Sequence, residues 1–289
     1  MAPAGYGKTT LAGQWVERDG RRHAWYTARR ASTDVAALAL GIARVCTPIV
    51  ADCDVRLREH LRAVPSSADN SDLLAEILGE DFREWPADAW VVIDDYHEIA
   101  RGAEAERFVS ALVASSPVQV LIASRVRPSW VTTRGMLYGE VLELNQTALA
   151  MDATEAAEVL AEGSTQSASG LVAVANGWPA VIGLASVSGA EIDTDVEQVP
   201  ESLYRFFAEE VYSALDEEVR SGLATLATAP LLDRELATKL LGQALAETTG
   251  AAGIDMGVIF ERGLQLELHP LCRAFLAERG PKLGVAPDE

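Results

Sequence analysis

A loop pattern at the start of the chain restricts the fold more than any other feature. Residues 2–9 read A-P-A-G-Y-G-K-T, which fits G-x-x-x-x-G-K-[ST] except that Ala2 takes the first glycine position. In this pattern the backbone N–H groups of the loop and the start of the next helix bind phosphate. Lys8 is expected to reach the β- and γ-phosphates, and Thr9 to ligate Mg²⁺. The alternative is a chance glycine-rich turn. The predicted nucleotide-binding residues of this segment are Gly5, Gly7, Lys8, Thr9 and Thr10.

An apolar run that ends in two carboxylates strengthens this interpretation. Residues 90–99 read W-V-V-I-D-D-Y-H-E-I, and the apolar part is typical of a buried parallel strand. At the end of such a strand, Asp94 is expected to hold Mg²⁺ through water, and Asp95 to polarise an attacking water. The alternative is a helix N-cap after an ordinary strand. The two patterns together favour a nucleotide site.

The next apolar run supplies a third candidate side chain. Residues 118–125 read V-Q-V-L-I-A-S-R, and Arg125 at its end could sense the γ-phosphate. An arginine after a strand also commonly forms a surface ion pair, so both roles stay open. The sequence holds neither an NKxD motif nor an LSGGQ-like segment. GTP and a transporter ATPase are therefore disfavoured.

Strands alternate with helices over the first half of the chain, which predicts a parallel sheet covered by helices on both faces. The predicted strands are residues 23–28, 89–95, 118–125 and 140–145. The predicted helices are residues 9–20, 32–45, 69–85 and 103–116, the second of them with Ser32 or Thr33 as its N-cap.

The second half of the chain reads mainly as helices. They are predicted at residues 152–163, 167–177, 179–189, 201–214, 216–228, 233–241, 254–262 and 270–279, with one strand at 264–269. Helices with a single β-ribbon fit a small winged-helix domain. The predicted domains are an α/β P-loop NTPase domain without its first strand (1–149), an all-α helical domain (150–190), a linker (191–200) and a winged-helix-like domain (201–289).

The charge of the chain limits its partners. The formal net charge is −19, and a surface this acidic repels DNA and anionic membranes, so neither is an expected partner. A local loop can still bind ATP against the global charge. No apolar run approaches the roughly 20 residues of a membrane span. The three cysteines show no metal-ligand spacing, and a reduced, cytoplasmic protein is expected.

Five segments in this order resemble the ATP-binding core of MalT-type, LuxR-family transcriptional regulators, which belong to the STAND class of signal-transduction ATPases. They are residues 2–15, 91–99, 121–130, 176–186 and 268–276, within a resemblance that covers about residues 2–280. The resemblance implies that Pro179 of a Gly-x-Pro element lies against the nucleotide and that His269 contacts the β-phosphate of ADP. The alternatives are a turn before a helix with Pro179 at its first position, and a histidine packed at a strand end. It also implies that exchange of ADP for ATP opens the domains and exposes a surface for self-association or a partner regulator.

The chain departs from that family at both ends. Relatives carry an apolar strand before the loop and continue beyond the winged helix, whereas this sequence runs from Met1 to Glu289. We therefore expect a module without its own DNA-binding domain. It should be poorly stable and bind nucleotide weakly, because the loop is a chain terminus and the strand at 89–95 lacks a neighbour. The expected function is an ATP-binding, slowly hydrolysing switch. The alternatives are a non-hydrolysing nucleotide-binding module and a remnant of a larger regulator, including a mis-called start.

Overall fold

The fold was analysed in a computed structural model of the chain. It describes residues 1–18, 20–64, 70–160, 172–173, 175–188, 212, 215–262 and 265–279. The chain divides into two compact units. The first unit holds Met1–Ala2 and Lys8–Asn145, and the second holds Pro3–Gly7 and Gln146–Glu289. The boundaries therefore differ from the predicted domains, which remain predictions.

The first unit is an α/β structure. Its helices are α1 (Lys8–Arg18), α2 (Val35–Cys46), α3 (Val55–Ala63), α4 (Ser71–Asp81), α5 (Ala103–Ser115) and α6 (Thr133–Leu137). Its strands are β1 (Arg22–Thr27), β2 (Ala89–Asp94) and β3 (Gln119–Ile122), and 3-10 turns lie at Arg30–Thr33 and Tyr96–Arg101. The N-cap of α2 is Asp34, whose side chain accepts from the Ala37 N–H, rather than the predicted Ser32 or Thr33. Both of those residues lie in the preceding 3-10 turn.

The three strands form one parallel sheet in the order β1-β2-β3, which confirms the predicted parallel sheet. Trp90 pairs with His23 on one side and with Gln119 on the other, so β2 is the central strand. The expectation that the strand at 89–95 lacks a neighbour is therefore wrong. Among the described residues, β1 and β3 are the two edge strands of this sheet.

The alternating side chains of β2 explain why helices cover both faces of the sheet. Val91 and Ile93 belong to the main core, together with buried residues of α2, α4 and α5. Val92 points the other way and packs with Ala12 and Val16 of α1. Because both faces are buried, β2 is an almost unbroken apolar run.

The predicted strand at 140–145 is not formed, because the Glu140 and Val141 N–H groups both donate to the Gly135 carbonyl in a turn after α6. The Ala2 N–H donates to the Ser124 carbonyl, and the Met1 amine donates to the Leu144 carbonyl. Successive residues of an extended chain bond to opposite sides, so the start of the chain lies between these two segments as a strand would. We call this position, flanked by residues 119–124 and 141–145, the strand slot.

The second unit is largely helical. Its helices are α7 (Gln146–Leu149), α8 (Ala153–Val159), α9 (Pro179–Ser188), α10 (Glu217–Ala227), α11 (Arg234–Leu241), α12 (Gln243–Asp255) and α13 (Pro270–Arg279). Strands β4 (Leu232–Asp233), β5 (Ile259–Arg262) and β6 (Gln265–Leu268) form an antiparallel sheet in the order β4-β6-β5.

The prediction of a helix at 254–262 is wrong. Helix α12 ends at Asp255, and Gly257 has a φ of 72°, a left-handed conformation that breaks a helix. Residues 259–262 instead pair with β6. The predicted linker at 191–200 and the predicted helix at 201–214, apart from Tyr212, lie outside the described residues.

The described helices include none with the length and apolar character needed to cross a bilayer.

Candidate functional site

The two sequence patterns meet in the first unit through one hydrogen bond. Thr9 stands in the first turn of α1, and Asp94 is the last residue of β2. The Thr9 hydroxyl donates to Asp94 Oδ1 over 3.0 Å. The same carboxylate oxygen accepts from the Asp95 N–H at 3.0 Å, which fixes its orientation. The loop threonine and the strand aspartate are thus placed together as the sequence predicts.

Burial has the largest effect on the pKa of the Asp94 carboxyl group. The residue is 4% exposed, and burial raises its pKa above the ordinary value. The Thr9 hydrogen bond and the charge of Lys8 act in the opposite direction but do not cancel the effect of burial. An ionised carboxylate in this setting favours a cation beside it.

The oxygens at this point fit Mg²⁺. Mg²⁺ binds oxygen ligands, keeps several waters, and is commonly held by one or two protein groups together with phosphate oxygens. Thr9 is exposed, so its hydroxyl is accessible, and Asp94 supplies the buried carboxylate. These two residues are the ones that would hold the ion.

Asp95 adopts a conformation that few residues accept. Its φ is 53°, in the left-handed region, where aspartate and asparagine are better tolerated than other L-residues. Its side chain is 47% exposed, and its Oδ1 lies 3.9 Å from His97 Nδ1. The Tyr96 N–H bonds to the Ala123 carbonyl and holds the turn against the end of β3. Asp95 is therefore presented to solvent from a fixed backbone.

Two further predicted site residues are Thr10, which follows Thr9, and Arg125, which follows the end of β3. Arg125 follows the bonded residues Ala123 and Ser124 and is partly buried. Thr10 is exposed on the first turn of α1. Their predicted roles, like those of the other site residues, stay predictions.

The first half of the loop belongs to the second unit. The Trp178 indole N–H donates to the Ala4 carbonyl at 3.0 Å, and the Ala180 N–H donates to the Gly5 carbonyl at 2.9 Å. Tyr6 stacks on Trp178 with ring centroids 5.9 Å apart. Residues 3–7 are therefore held by groups at the start of α9.

Positions 5 and 7 both have a backbone conformation that favours glycine. Their φ values are 75° and 69°, in the region that favours glycine. At Gly5 an added Cβ would also lie 2.6 Å from Trp178 Nε1 and 2.7 Å from Ala180 Cβ. At Gly7 an added Cβ would meet nothing within 4 Å. The two glycines thus differ in how closely they are packed.

His269 lies at the end of β6 and is fully buried in the second unit. Its Nε2 lies 3.0 Å from the Ala175 carbonyl, and its Nδ1 accepts from the Leu271 N–H. This pattern requires a neutral ring that carries its proton on Nε2. Burial lowers its pKa to about 4, in agreement with a neutral ring at pH 7. The predicted phosphate contact of His269 would require the ring to exchange these bonds.

The turn before α9 links His269 to Trp178 and Pro179. Asn176 and Gly177 both have positive φ, and the Gly177 carbonyl accepts from the Met151 N–H. The Trp178 ring meets His269 edge-on, with ring centroids 5.2 Å apart. Pro179 then starts α9, where its missing N–H is no loss.

Comparison with solved structures defines the class of the fold. A Walker-type ATPase of Pyrococcus abyssi aligns with 96% of this chain and 89% of its own, at a TM-score of 0.54 and 11% sequence identity. This likeness, together with the parallel sheet and the loop before α1, agrees with the predicted P-loop fold.

Comparison with curated proteins is more specific. The chain is 26% identical over 304 residues to the HTH-type transcriptional regulator MalT of Serratia proteamaculans, covering 96% of this chain and 32% of the relative. It is 26% identical over 258 residues to MalT of Vibrio campbellii, covering 81% and 27%. The homologues are therefore MalT transcriptional regulators, which confirms the resemblance. The chain spans about a third of their length. No family model matches it.

These comparisons leave one expectation without support. The acidic charge predicted that the chain contacts no nucleic acid, yet the relatives are named as HTH-type transcriptional regulators. The winged-helix interpretation of residues 201–289 likewise stays a prediction.

Several residues of the loop environment were missed by sequence reasoning. Tyr6 is 2% exposed, and its hydroxyl accepts from Gln146 Nε2 at 2.7 Å. Trp178 is the middle residue of the Gly-x-Pro element, and the sequence predicted no role for its side chain. One local feature could have indicated that Tyr6 is buried: an aromatic residue inside a glycine-rich loop is unusual for a solvated turn.

Proposed function

We propose that this chain is the nucleotide-binding switch module of a MalT-like regulator, and that it binds ADP and ATP with Mg²⁺ at residues 5–10. The observation that carries the proposal is the hydrogen bond from Thr9 to Asp94, because it joins the loop pattern to the carboxylate of β2. Asp94 and Thr9 hold Mg²⁺, and Lys8 contacts the β- and γ-phosphates. The fold class and the MalT homologues support the assignment.

The switch requires two conformational states of the protein, one favoured by ADP and the other by ATP. ADP and ATP must bind those states with different affinities if exchange is to shift the protein between them. Pro179 and His269 are the groups through which bound ADP holds the resting state. The winged-helix interpretation of α10–α13 with β4–β6 fits this scheme, and self-association or a regulator protein is the expected partner of the ATP state.

Replacing Lys8 with alanine should lower the affinity for Mg·ADP by about 100-fold, or about 2.7 kcal/mol. Lys8 carries the one side-chain cation of residues 2–9, and its removal would leave the phosphate charge without that partner. Isothermal titration calorimetry of wild type and variant measures the change.

Lys239→Ala is the matched control for that experiment. Lys239 is exposed on α11 and pairs with Glu235 at 2.7 Å, so its loss removes the same charge far along the sequence from the loop. The control should bind like wild type. Equal affinities of all three proteins, or equal losses in both variants, would contradict the nucleotide site.

Hydrolysis is tested separately at Asp95. Asp95→Asn should keep Mg·ATP affinity within about threefold and lower turnover by at least about 10-fold, because asparagine accepts a left-handed backbone but is not a base. Single-turnover hydrolysis measured beside equilibrium binding separates the two effects. If wild type and variant turn over at one rate, Asp95 has no such role.

The second candidate function is a nucleotide-binding module that does not hydrolyse. In that module the Asp95 carboxylate, whose Oδ1 lies 3.9 Å from His97 Nδ1, would not activate a water molecule. In this case wild type binds Mg·ATP, loses affinity on Lys8→Ala, and shows no turnover above that of Asp95→Asn.

A further inference from the structure

The contacts to residues 4 and 5 fix the orientation of two peptide groups. Trp178 Nε1 holds the Ala4 carbonyl, and the Ala180 N–H holds the Gly5 carbonyl. A trans peptide is planar, and its C=O and the N–H of the next residue point in opposite directions. The Gly5 and Tyr6 N–H groups are therefore directed away from the two donors.

Those two N–H groups have the properties of anion-binding donors. Among the described residues, neither donates to a backbone carbonyl. They precede Gly7 and Lys8 in the loop pattern, and a run of consecutive N–H groups on one side of a turn binds phosphate oxygens. The carbonyl contacts therefore determine which side of the loop offers donors.

Trp178 is held in one position from three directions. Its side chain is fully buried, and the ring lies between Tyr6 on one side and His269 at its edge. Tyr6 is itself fixed by the hydrogen bond from Gln146. A side chain packed in this way has no alternative rotamer, so its indole N–H is a rigid anchor for the Ala4 carbonyl.

We propose that Trp178 is a positioning residue for nucleotide binding: its indole N–H orients the peptide group between Ala4 and Gly5 so that the loop N–H groups face the phosphates. The inference rests on the proposed function and adds the residue that sets the shape of the loop. Trp178 acts through the backbone and touches neither the base nor the phosphates.

Trp178→Phe tests this role, because phenylalanine keeps a ring beside Tyr6 and removes the indole N–H. We expect the affinity for Mg·ADP to fall by about 10-fold, which is about 1.4 kcal/mol. The affinity for inorganic pyrophosphate should fall by the same factor, since the loop N–H groups that this contact orients would face the phosphates and not the base. Both are measured by calorimetry well below the melting temperature.

Trp85→Phe is the matched control. Trp85 is 6% exposed, and its indole N–H donates to the Ala89 carbonyl at 3.0 Å, so the substitution removes the same kind of bond in the first unit. It should lower the melting temperature without changing the affinity for either ligand. A merely structural role of Trp178 would give the same result for both variants.

Three outcomes decide the matter. If wild type binds Mg·ADP and Trp178→Phe binds it equally well, the positioning role is overturned and the nucleotide site stands. If wild type does not bind Mg·ADP, the proposed function and the positioning role both fall. If Trp178→Phe does not fold, Trp178→Met, which also lacks the indole N–H and adapts its shape to the pocket, is measured in the same way, and unchanged pyrophosphate affinity overturns the proposal.

Discussion

Gly5→Ala is expected to destabilise the second unit by about 2–5 kcal/mol. Part of this cost comes from placing alanine at a φ of 75°. The rest comes from contacts of 2.6 Å and 2.7 Å between the new Cβ and atoms of Trp178 and Ala180, neither of which is able to move away. Urea unfolding followed by tryptophan fluorescence measures the change in the free energy of unfolding.

Gly7→Ala is the control for this prediction. Gly7 has nearly the same φ, 69°, but an added Cβ would meet nothing within 4 Å. Its cost should be the backbone term alone, about 1–2 kcal/mol. If the two variants lose the same stability, the close packing of Gly5 against Trp178 and Ala180 does not contribute.

A strand fused in front of Met1 is expected to raise the melting temperature by about 5–10 °C, equivalent to about 2 kcal/mol. Among the described residues, β3 has a paired strand on one side only, and residues 141–145 form no ladder. It also exposes apolar side chains, since Leu142 is 87% and Leu144 45% exposed. Six alternating valine and isoleucine residues would pair with both segments and cover them.

A glycine-serine extension of the same length is the control for the fusion. It adds the same number of peptide groups without β-propensity, and it should leave the melting temperature unchanged. Amide hydrogen exchange should slow at residues 119–124 and 141–145 with the valine-isoleucine extension alone. Equal melting temperatures and equal exchange in the two fusions would show that the slot does not accept a strand.

Local patterns predicted the part of the site that depends on nearby sequence. The apolar run before Asp94 predicted a central strand, and the glycines before Lys8 predicted a loop entering a helix; both are present. Because Thr9 follows the loop and Asp94 ends β2, the order of these elements predicted that both residues lie at the same edge of the sheet. Their hydrogen bond spans 85 residues, but it follows from the topology of a parallel sheet.

The errors arose where a distant partner decides the structure. Residues 259–262 suit a helix by composition, but pairing with β6 and the turn at Gly257 make them a strand. Residues 140–145 suit a strand, but the Glu140 and Val141 N–H groups both donate to the Gly135 carbonyl in a turn. The contact between Trp178 and Ala4 joins residues 174 positions apart, and no local pattern signals it.

The most direct test of the nucleotide site is the melting temperature of wild type at rising concentrations of Mg·ADP. A ligand that binds only the folded state stabilises it by about 2.7 kcal/mol at 100 times its dissociation constant. We therefore expect the melting temperature to rise steadily with the logarithm of the ligand concentration, and Lys8→Ala to show almost no rise. An unchanged wild-type melting temperature at millimolar Mg·ADP, or an equal rise in Lys8→Ala, would contradict a nucleotide site at this loop.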